Sequence, residues 1–226
     1  MKFIKKELQG WGKYERILFP LELIVIVVLS FIMKDSKIAL VSALCGISYT
    51  ILSGKGKISC YFFGVIGTLC YVYISMKNAL YGNAALYMFY YFPMEIIGFL
   101  KWRKHLDEKT STIVKTVLSK KAKIVYLVAS VFCSIVLALV LKLCGGATPY
   151  LDSITCVLSI VGFLLVVNRC FEQWYVWFIV NLLSSIMWIN AYLNGSNCLA
   201  TVIMWVTYVI LSLYFMYTWK RDLARQ

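Results

Sequence analysis

Long apolar stretches separated by short polar gaps run the length of the chain, and their length decides what they form. A bilayer core about 30 Å thick is crossed by about 20 apolar residues wound as a helix. Eight stretches fit that requirement: 17–33, 38–53, 59–76, 84–100, 124–143, 151–167, 174–193 and 198–218, the second being the shortest. The pattern predicts an all-α polytopic membrane protein with eight transmembrane helices. The loop over 101–123 is the only sizeable connection, and it divides the chain in two.

Composition and charge turn this pattern into a topology. Of 226 residues, 62% are hydrophobic and 15% charged, against about half and a quarter in soluble domains. A formal net charge of +13 could point to nucleic acid, but that partner requires the basic residues on one solvated face. Here they sit in the gaps between apolar runs. With eight crossings, 19 of the 23 Lys and Arg fall on one side, leaving only Lys34, Lys37, Lys77 and Lys142 on the other. The positive-inside rule then places both termini in the cytoplasm, and seven or nine spans would spoil the asymmetry. Residues 1–16 are basic and amphipathic, and the run after them lacks a small-residue cleavage site, so insertion without removal of a leader is expected.

Laying the first half over the second at an offset of about 117 residues brings two spans and their hairpin into step. Tyr71 meets Trp188, Tyr91 meets Tyr208, and Lys101-Trp102 meets Thr218-Trp219. Both halves have the same inside-to-outside sense, so the repeat is parallel and needs an odd linking span. The expected organisation is a basic segment, extra helix and first core helix over 1–53, and the rest of a first three-helix bundle over 54–100. A basic cytoplasmic loop follows over 101–123, then a linking helix over 124–143, a second three-helix bundle over 144–218 and a cytoplasmic tail over 219–226.

Chemistry is concentrated in two stretches. Trp174, Trp177, Asn181 and Trp188 fall at i, i+3, i+7 and i+14, near one face of a helix that also carries Asn190. Indoles with a carboxamide among them suit stacking on a flat ring and bonding its edge. The competing reading for Trp174 and Trp177 is an interfacial aromatic belt, which does not account for Asn181, Trp188 and Asn190, deeper in the run. Glu95 is the one carboxylate well inside an apolar run. A charge near the bilayer centre costs at least about 2.5 kcal/mol and normally faces a cavity; the alternative is a protonated Glu bonding a neighbouring helix. Pro93 predicts a kink just before it. Tyr91, one turn earlier, is either a substrate wall or helix packing, and Tyr208 is its counterpart in the repeat. Gly64, Gly67 and Gly162 are candidate loose points, as is Pro93. Glu22 after Pro20, and Asp152 after Pro149, read as first-turn carboxylates at helix dipoles. Asn194-Gly195-Ser196 reads as a turn.

The eight cysteines lie mostly inside apolar runs without a CxxC pair and read as small buried hydrophobes. His105, the single histidine, lies in the basic loop, where a solvated role is expected. With no Walker loop, HExxH or Ser/His/Asp set, neither an enzyme nor an ATP-driven pump is expected, and neither is a metal or other cofactor.

Trp174-Tyr175-Val176-Trp177 is similar to the WxxW motif of the PnuC-type vitamin transporters, most of which take up nicotinamide riboside. Tyr81-Gly82-Asn83-Ala84-Ala85-Leu86, the run from Tyr91-Phe92-Pro93-Met94-Glu95 to Lys101-Trp102, Met204-Trp205 and Thr218-Trp219-Lys220 also resemble that family. The resemblance extends from about Gly54 to the C-terminus. It implies a SWEET-like fold, with two parallel three-helix bundles, a linking helix and often a homotrimer. It also implies a facilitator of the bacterial inner membrane whose substrate is trapped by intracellular phosphorylation. Carried onto this chain, Trp174 and Trp177 line the site while Asn181 and Glu95 face the substrate. Glu95 stands where many members have Gln, and a carboxylate there suits a cationic ring, which nicotinamide riboside and thiamine both possess. A transporter of thiamine or another vitamin or nucleoside is the alternative within this fold, and a non-transporting membrane receptor the alternative outside it.

Overall fold

The computed structural model describes residues 7–13, 15–34, 36–77, 81–107, 110–145, 148–195 and 199–225. Cys198, where the last apolar stretch was expected to begin, and Ser196 of the expected turn lie outside the described residues. The regular elements are helices: α1 (Glu15–Ile32), α2 (Lys37–Gly54), α3 (Cys60–Lys77), α4 (Tyr81–Leu86), a π turn (Tyr87–Tyr91), α5 (Phe92–Arg103), α6 (Lys120–Leu143), α7 (Pro149–Val167), α8 (Gln173–Leu193) and α9 (Leu199–Leu223). Among the described residues six are long and apolar enough to cross a membrane: α2, α3, α6, α7, α8 and Thr201–Leu223 of α9.

Local chemistry explains the ends and the one fault. Ser36 and Ser119 cap α2 and α6, each hydroxyl accepting the N–H three residues on, and Pro149 opens α7, where a missing N–H costs nothing. Asp152 stands in the first turn of α7 as expected and accepts from Thr148 Oγ1 at 2.9 Å. Pro93 lacks an N–H and crowds the carbonyl four residues back. The expected kink takes the form of the π turn just before it, in which Phe92 N–H reaches back to Tyr87 C=O, so 84–100 is not one uniform helix.

Two readings of the sequence need correction. Because α1 already starts at Glu15, Pro20 lies inside it and Glu22 stands beyond its first turn. The carboxylate of that first turn is Glu15, which accepts from Gly12 N–H at 2.6 Å and pairs with Lys55 at 2.8 Å. Of the cysteines, Cys45, Cys60 and Cys170 are buried, but Cys133 and Cys144 are exposed. Cys133 shares α6 with exposed Val125, Leu127, Val128, Phe132 and Leu139. So large an apolar surface is a lipid face, its backbone satisfied within the helix.

The chain forms two compact units, Met1–Val114 and Lys115–Gln226. In the first, α2 lies along α3, which also carries α4, the π turn and α5; in the second, α6 packs on α7, α7 on α8 and α8 on α9. The same turn occurs in both. After α2, Lys57 N–H bonds Leu52 C=O and Gly56 N–H bonds Ser53 C=O; after α7, Cys170 N–H bonds Leu165 C=O and Arg169 N–H bonds Val166 C=O. The turning residue has positive φ each time, 66° at Gly56 and 62° at Arg169, the left-handed cap that ends many helices. The next helix then starts alike, from Tyr61 N–H on Ile58 C=O and Trp174 N–H on Phe171 C=O.

The two parts of the central basic loop are each tied into their own unit. In the first unit Ile113 N–H bonds Gly56 C=O at 3.0 Å, and Lys57, 1% exposed, reaches the carbonyls of Thr110 and Ser111. In the second, Thr116 N–H bonds Arg169 C=O and Thr116 C=O accepts from Phe171 N–H, while Leu118 N–H bonds Glu172. Buried Lys115 pairs with Asp222 and lies 4.8 Å over the Trp219 ring. Two lysines counted as loop charges are thus buried structural groups. His105, by contrast, is exposed as expected, with Nδ1 2.8 Å from Lys101 C=O.

Candidate functional site

In the second unit the aromatic stripe on α8 divides into parts with different surroundings. Trp174, at the first turn of α8, is 3% exposed; its ring lies 5.1 Å from Phe215 and edge-on to Trp219 at 5.7 Å. An interfacial belt residue would keep its polar edge wet, whereas Trp174 Nε1 is buried and has no hydrogen-bond partner among the described residues. Gln173 beside it is fully buried, and both ends of its amide lack a partner among the described residues.

One turn further, Trp177 is half-buried over Gly162 of α7. A Cβ at Gly162 would lie 3.1 Å from Trp177 Cε2 and 3.3 Å from Cζ2, so the missing side chain gives the indole its seat. Gly67 meets Cys45 Cβ at 3.2 Å by the same construction. The glycines read as loose points therefore stand at close approaches between helices, as small residues in membrane helices commonly do.

Asn181 is buried, with Nδ2 donating to Tyr208 C=O at 3.1 Å and its own carbonyl accepting from Ser185 Oγ at 2.8 Å. Tyr208 meets Asn181 through its backbone, while its ring stands edge-on to Trp205 at 6.0 Å. Trp188 is 38% exposed. Asn190 is exposed and takes part in closing α8, its backbone and side-chain oxygens both accepting from Asn194 Nδ2. The structure thus joins Trp174 to α9 through ring contacts and Asn181 to α9 through a hydrogen bond, and sets Trp188 and Asn190 apart towards the other end of α8.

In the first unit Glu95 is 3% exposed. Thr68 Oγ1 of α3 donates to its Oε1 at 2.8 Å, and its Oε2 is buried without a partner among the described residues. Beneath it lies Gly64, where a Cβ would come within 2.9 Å of both Glu95 Oε1 and Tyr49 Cδ2. Tyr91 is buried at the end of the π turn, 4.7 Å from the Tyr87 ring, which in turn lies 4.3 Å from Tyr71. The hydroxyl of Thr68 and the space over Gly64 were not found from the sequence, because a Thr or Gly in an apolar run has many packing uses. Among the described residues no cluster of His, Cys, Asp and Glu could hold a metal.

Known proteins share this architecture. The family described as nicotinamide mononucleotide transporter matches residues 36–221. A nicotinamide riboside transporter PnuC of Neisseria mucosa is 34% identical over 98% of this chain and 86% of its own length. One of Haemophilus influenzae is 27% identical over 98% and 96%. A crystal structure of the vitamin B3 transporter PnuC superimposes with a TM-score of 0.83 at 34% identity, covering 100% of this chain and 98% of the other. The relatives are named as transporters, in line with the expectation that this chain is not an enzyme. With its membrane-length helices, the WxxW pair on α8 and this match over most of its length, the chain belongs to the nicotinamide mononucleotide transporter family, that of the PnuC transporters.

Proposed function

We propose that this chain carries nicotinamide riboside across the bacterial inner membrane down its gradient, with phosphorylation inside the cell trapping the substrate. The observation that carries the reading is α8: its WxxW pair and Asn181 are fixed by neighbouring elements, in a chain 34% identical to a relative named for that activity. A flat cationic ring stacked on an indole is favoured by about 0.5–2 kcal/mol, a contribution that neutral nicotinamide lacks. Within the second unit Trp174, Trp177, Asn181, Trp188, Asn190 and Tyr208 are proposed as substrate-facing residues; within the first, considered by itself, Tyr91 and Glu95 are.

In this reading α1 and the α4–π turn–α5 segment also cross the membrane, giving eight spans with both termini cytoplasmic. The basic residues gathered on one side support that orientation. One extra helix, then three, one and three, is the proposed order, with the two triplets a parallel SWEET-like repeat. The matching turns after α2 and α7 support it. So do the fully buried Trp102 and Trp219, each edge-on to the first aromatic ring of the triplet's middle helix, Tyr61 and Trp174. A homotrimer is proposed as the assembly.

Titrating the purified protein side by side with nicotinamide riboside, thiamine and nicotinamide tests the ligand. Quenching of tryptophan fluorescence by the riboside and not the other two is expected. A response to thiamine alone would keep the fold and change the vitamin, and silence towards all three would overturn the reading.

A further inference from the structure

α6 begins with charge that the fold leaves unused. Its first turn reads Lys120-Lys121-Ala122-Lys123 and holds no acidic residue, although the dipole of a helix favours cations at its last turn and not its first. Lys123 is accounted for, since it pairs with Glu172 at 2.8 Å. It stands seven residues before Ser130, in line with the strip of Ser130, Ser134 and Ala138 that α6 buries. Lys120 and Lys121 are exposed, and neither joins an ion pair among the described residues.

Each of these two lysines heads an apolar stripe. At helical spacing Lys120 stands in line with Ile124 and Leu127, and Lys121 with Val125, Val128 and Phe132, all five of them exposed. From Lys121 to Phe132 the helix rises about 16 Å, half of a bilayer core about 30 Å thick and so the depth of one leaflet. From Lys121 to Lys142 it rises about 32 Å, which sets those two lysines at opposite edges of the core. α6 is also the least covered of the six membrane-length helices, with 11% of its apolar stretch buried against 22–39% in the others. The stripes therefore face lipid, with a pair of uncompensated cations at headgroup depth.

We propose that Lys120 and Lys121 form a binding site for one anionic phospholipid, its phosphate held between the two ammonium groups and its two acyl chains lying along the two stripes. The lysine stems rest on the apolar surface while their ends reach the headgroup layer, where attraction to anionic lipid is strongest. A zwitterionic lipid brings an ammonium of its own, which the lysines repel, and a free phosphate leaves the stripes uncovered. The site adjoins the junction at which Leu118 N–H and Lys123 both bond Glu172, the residue before α8. A bound lipid thus holds α6 beside the start of the helix that carries Trp174 and Trp177. The proposal does not depend on which substrate the chain carries.

The test is native mass spectrometry of the full chain with phosphatidylglycerol or phosphatidylcholine of identical acyl chains. It compares wild type, Lys120→Gln with Lys121→Gln, and Arg103→Gln with Lys104→Gln, which removes two exposed charges from the first unit. The wild type is expected to hold one phosphatidylglycerol per chain in preference to phosphatidylcholine. From the attraction of a single lysine to an anionic surface, that preference should fall about 30-fold in the Lys120 and Lys121 variant and stay unchanged in the other. Should the double variant fail to fold, Lys121→Gln alone decides, with an expected fall of about fivefold. Equal losses in both double variants would mean attraction to basic surface at large. Inorganic phosphate displacing the lipid at equal concentration would mean a simple anion site, and lipid held by single chains but not by assemblies would mean that a second copy covers α6. Any of these results, or a wild type without the preference, overturns the proposal.

Discussion

Gly162→Ala offers a way to disturb Trp177 without touching it. The added methyl would lie 3.1 Å from Trp177 Cε2, 3.3 Å from Cζ2 and 3.3 Å from Val176 Cγ1. Carbon contacts settle at about 3.5–4.0 Å, so the indole must move by about 0.4 Å or more. Trp177 is half-buried and can yield, so the protein folds and the strain appears as a displaced ring. A gap of about 0.5–1 Å forfeits a quarter to a half of a contact's attraction. Applied to the roughly 0.5–2 kcal/mol of a ring–cation contact, this gives a loss of up to about 1 kcal/mol, an affinity for nicotinamide riboside weaker by up to about fivefold. Trp177→Ala removes the whole contact and should cost up to about 30-fold by the same figures. The assay is calorimetric titration, with thermal unfolding in detergent as the control for folding. Gly67→Ala, whose methyl would meet Cys45 Cβ at 3.2 Å instead, is the comparison expected to alter stability and not affinity. Wild-type affinity in both Gly162→Ala and Trp177→Ala would refute the assignment of Trp177 to the site.

Two further outcomes concern stability. Gly98→Ala should destabilise by about 1–3 kcal/mol through overpacking: its methyl would lie 2.5 Å from Tyr61 Cε1 and Cζ, and that buried ring is held edge-on by Trp102. In the Tyr61→Ala background the same change should cost nothing in thermal unfolding, and an equal cost in both backgrounds would contradict the clash. Asp222→Asn removes the carboxylate paired with the buried Lys115 ammonium. Breaking a fully buried pair costs about 3–5 kcal/mol, but Asp222 is 38% exposed on its side chain and water screens it. A loss of about 1–2 kcal/mol is therefore expected, and no change in thermal unfolding would show the pair to be incidental.

What the sequence revealed and what it hid follow from the same physics. A membrane helix must be apolar for its whole length, so hydropathy located six spans to within a few residues at each end, and α8 emerged as the helix carrying an unusual share of polar and aromatic groups. Pro93 marked a fault but not its form, because a kink and a π turn remove the same hydrogen bond. The burial of Lys57 and Lys115 was hidden, since loops have no periodicity to separate inward from outward positions. Both lysines were counted by sign, and the counting argument is blind to where a charge ends. Thr68 was hidden for another reason: its partner, Glu95, is 27 residues away on another element, and only the folded chain brings them together. The offset between the halves could be read from matched tryptophans near the C-terminal ends, but the turns after α2 and α7 match at a spacing four residues shorter, which the hydrogen bonds disclose.

The central claim is passage of nicotinamide riboside across a bilayer without an energy source. It is tested most directly by uptake of labelled nicotinamide riboside into liposomes holding the purified protein, with no ion gradient and no ATP. The account predicts entry that stops when inside and outside concentrations are equal, continues further when a riboside kinase and ATP are enclosed, and is lost in Trp177→Ala. Liposomes that stay empty although the protein binds the riboside would identify a receptor and contradict it, and accumulation beyond equality without the kinase would contradict passage down the gradient.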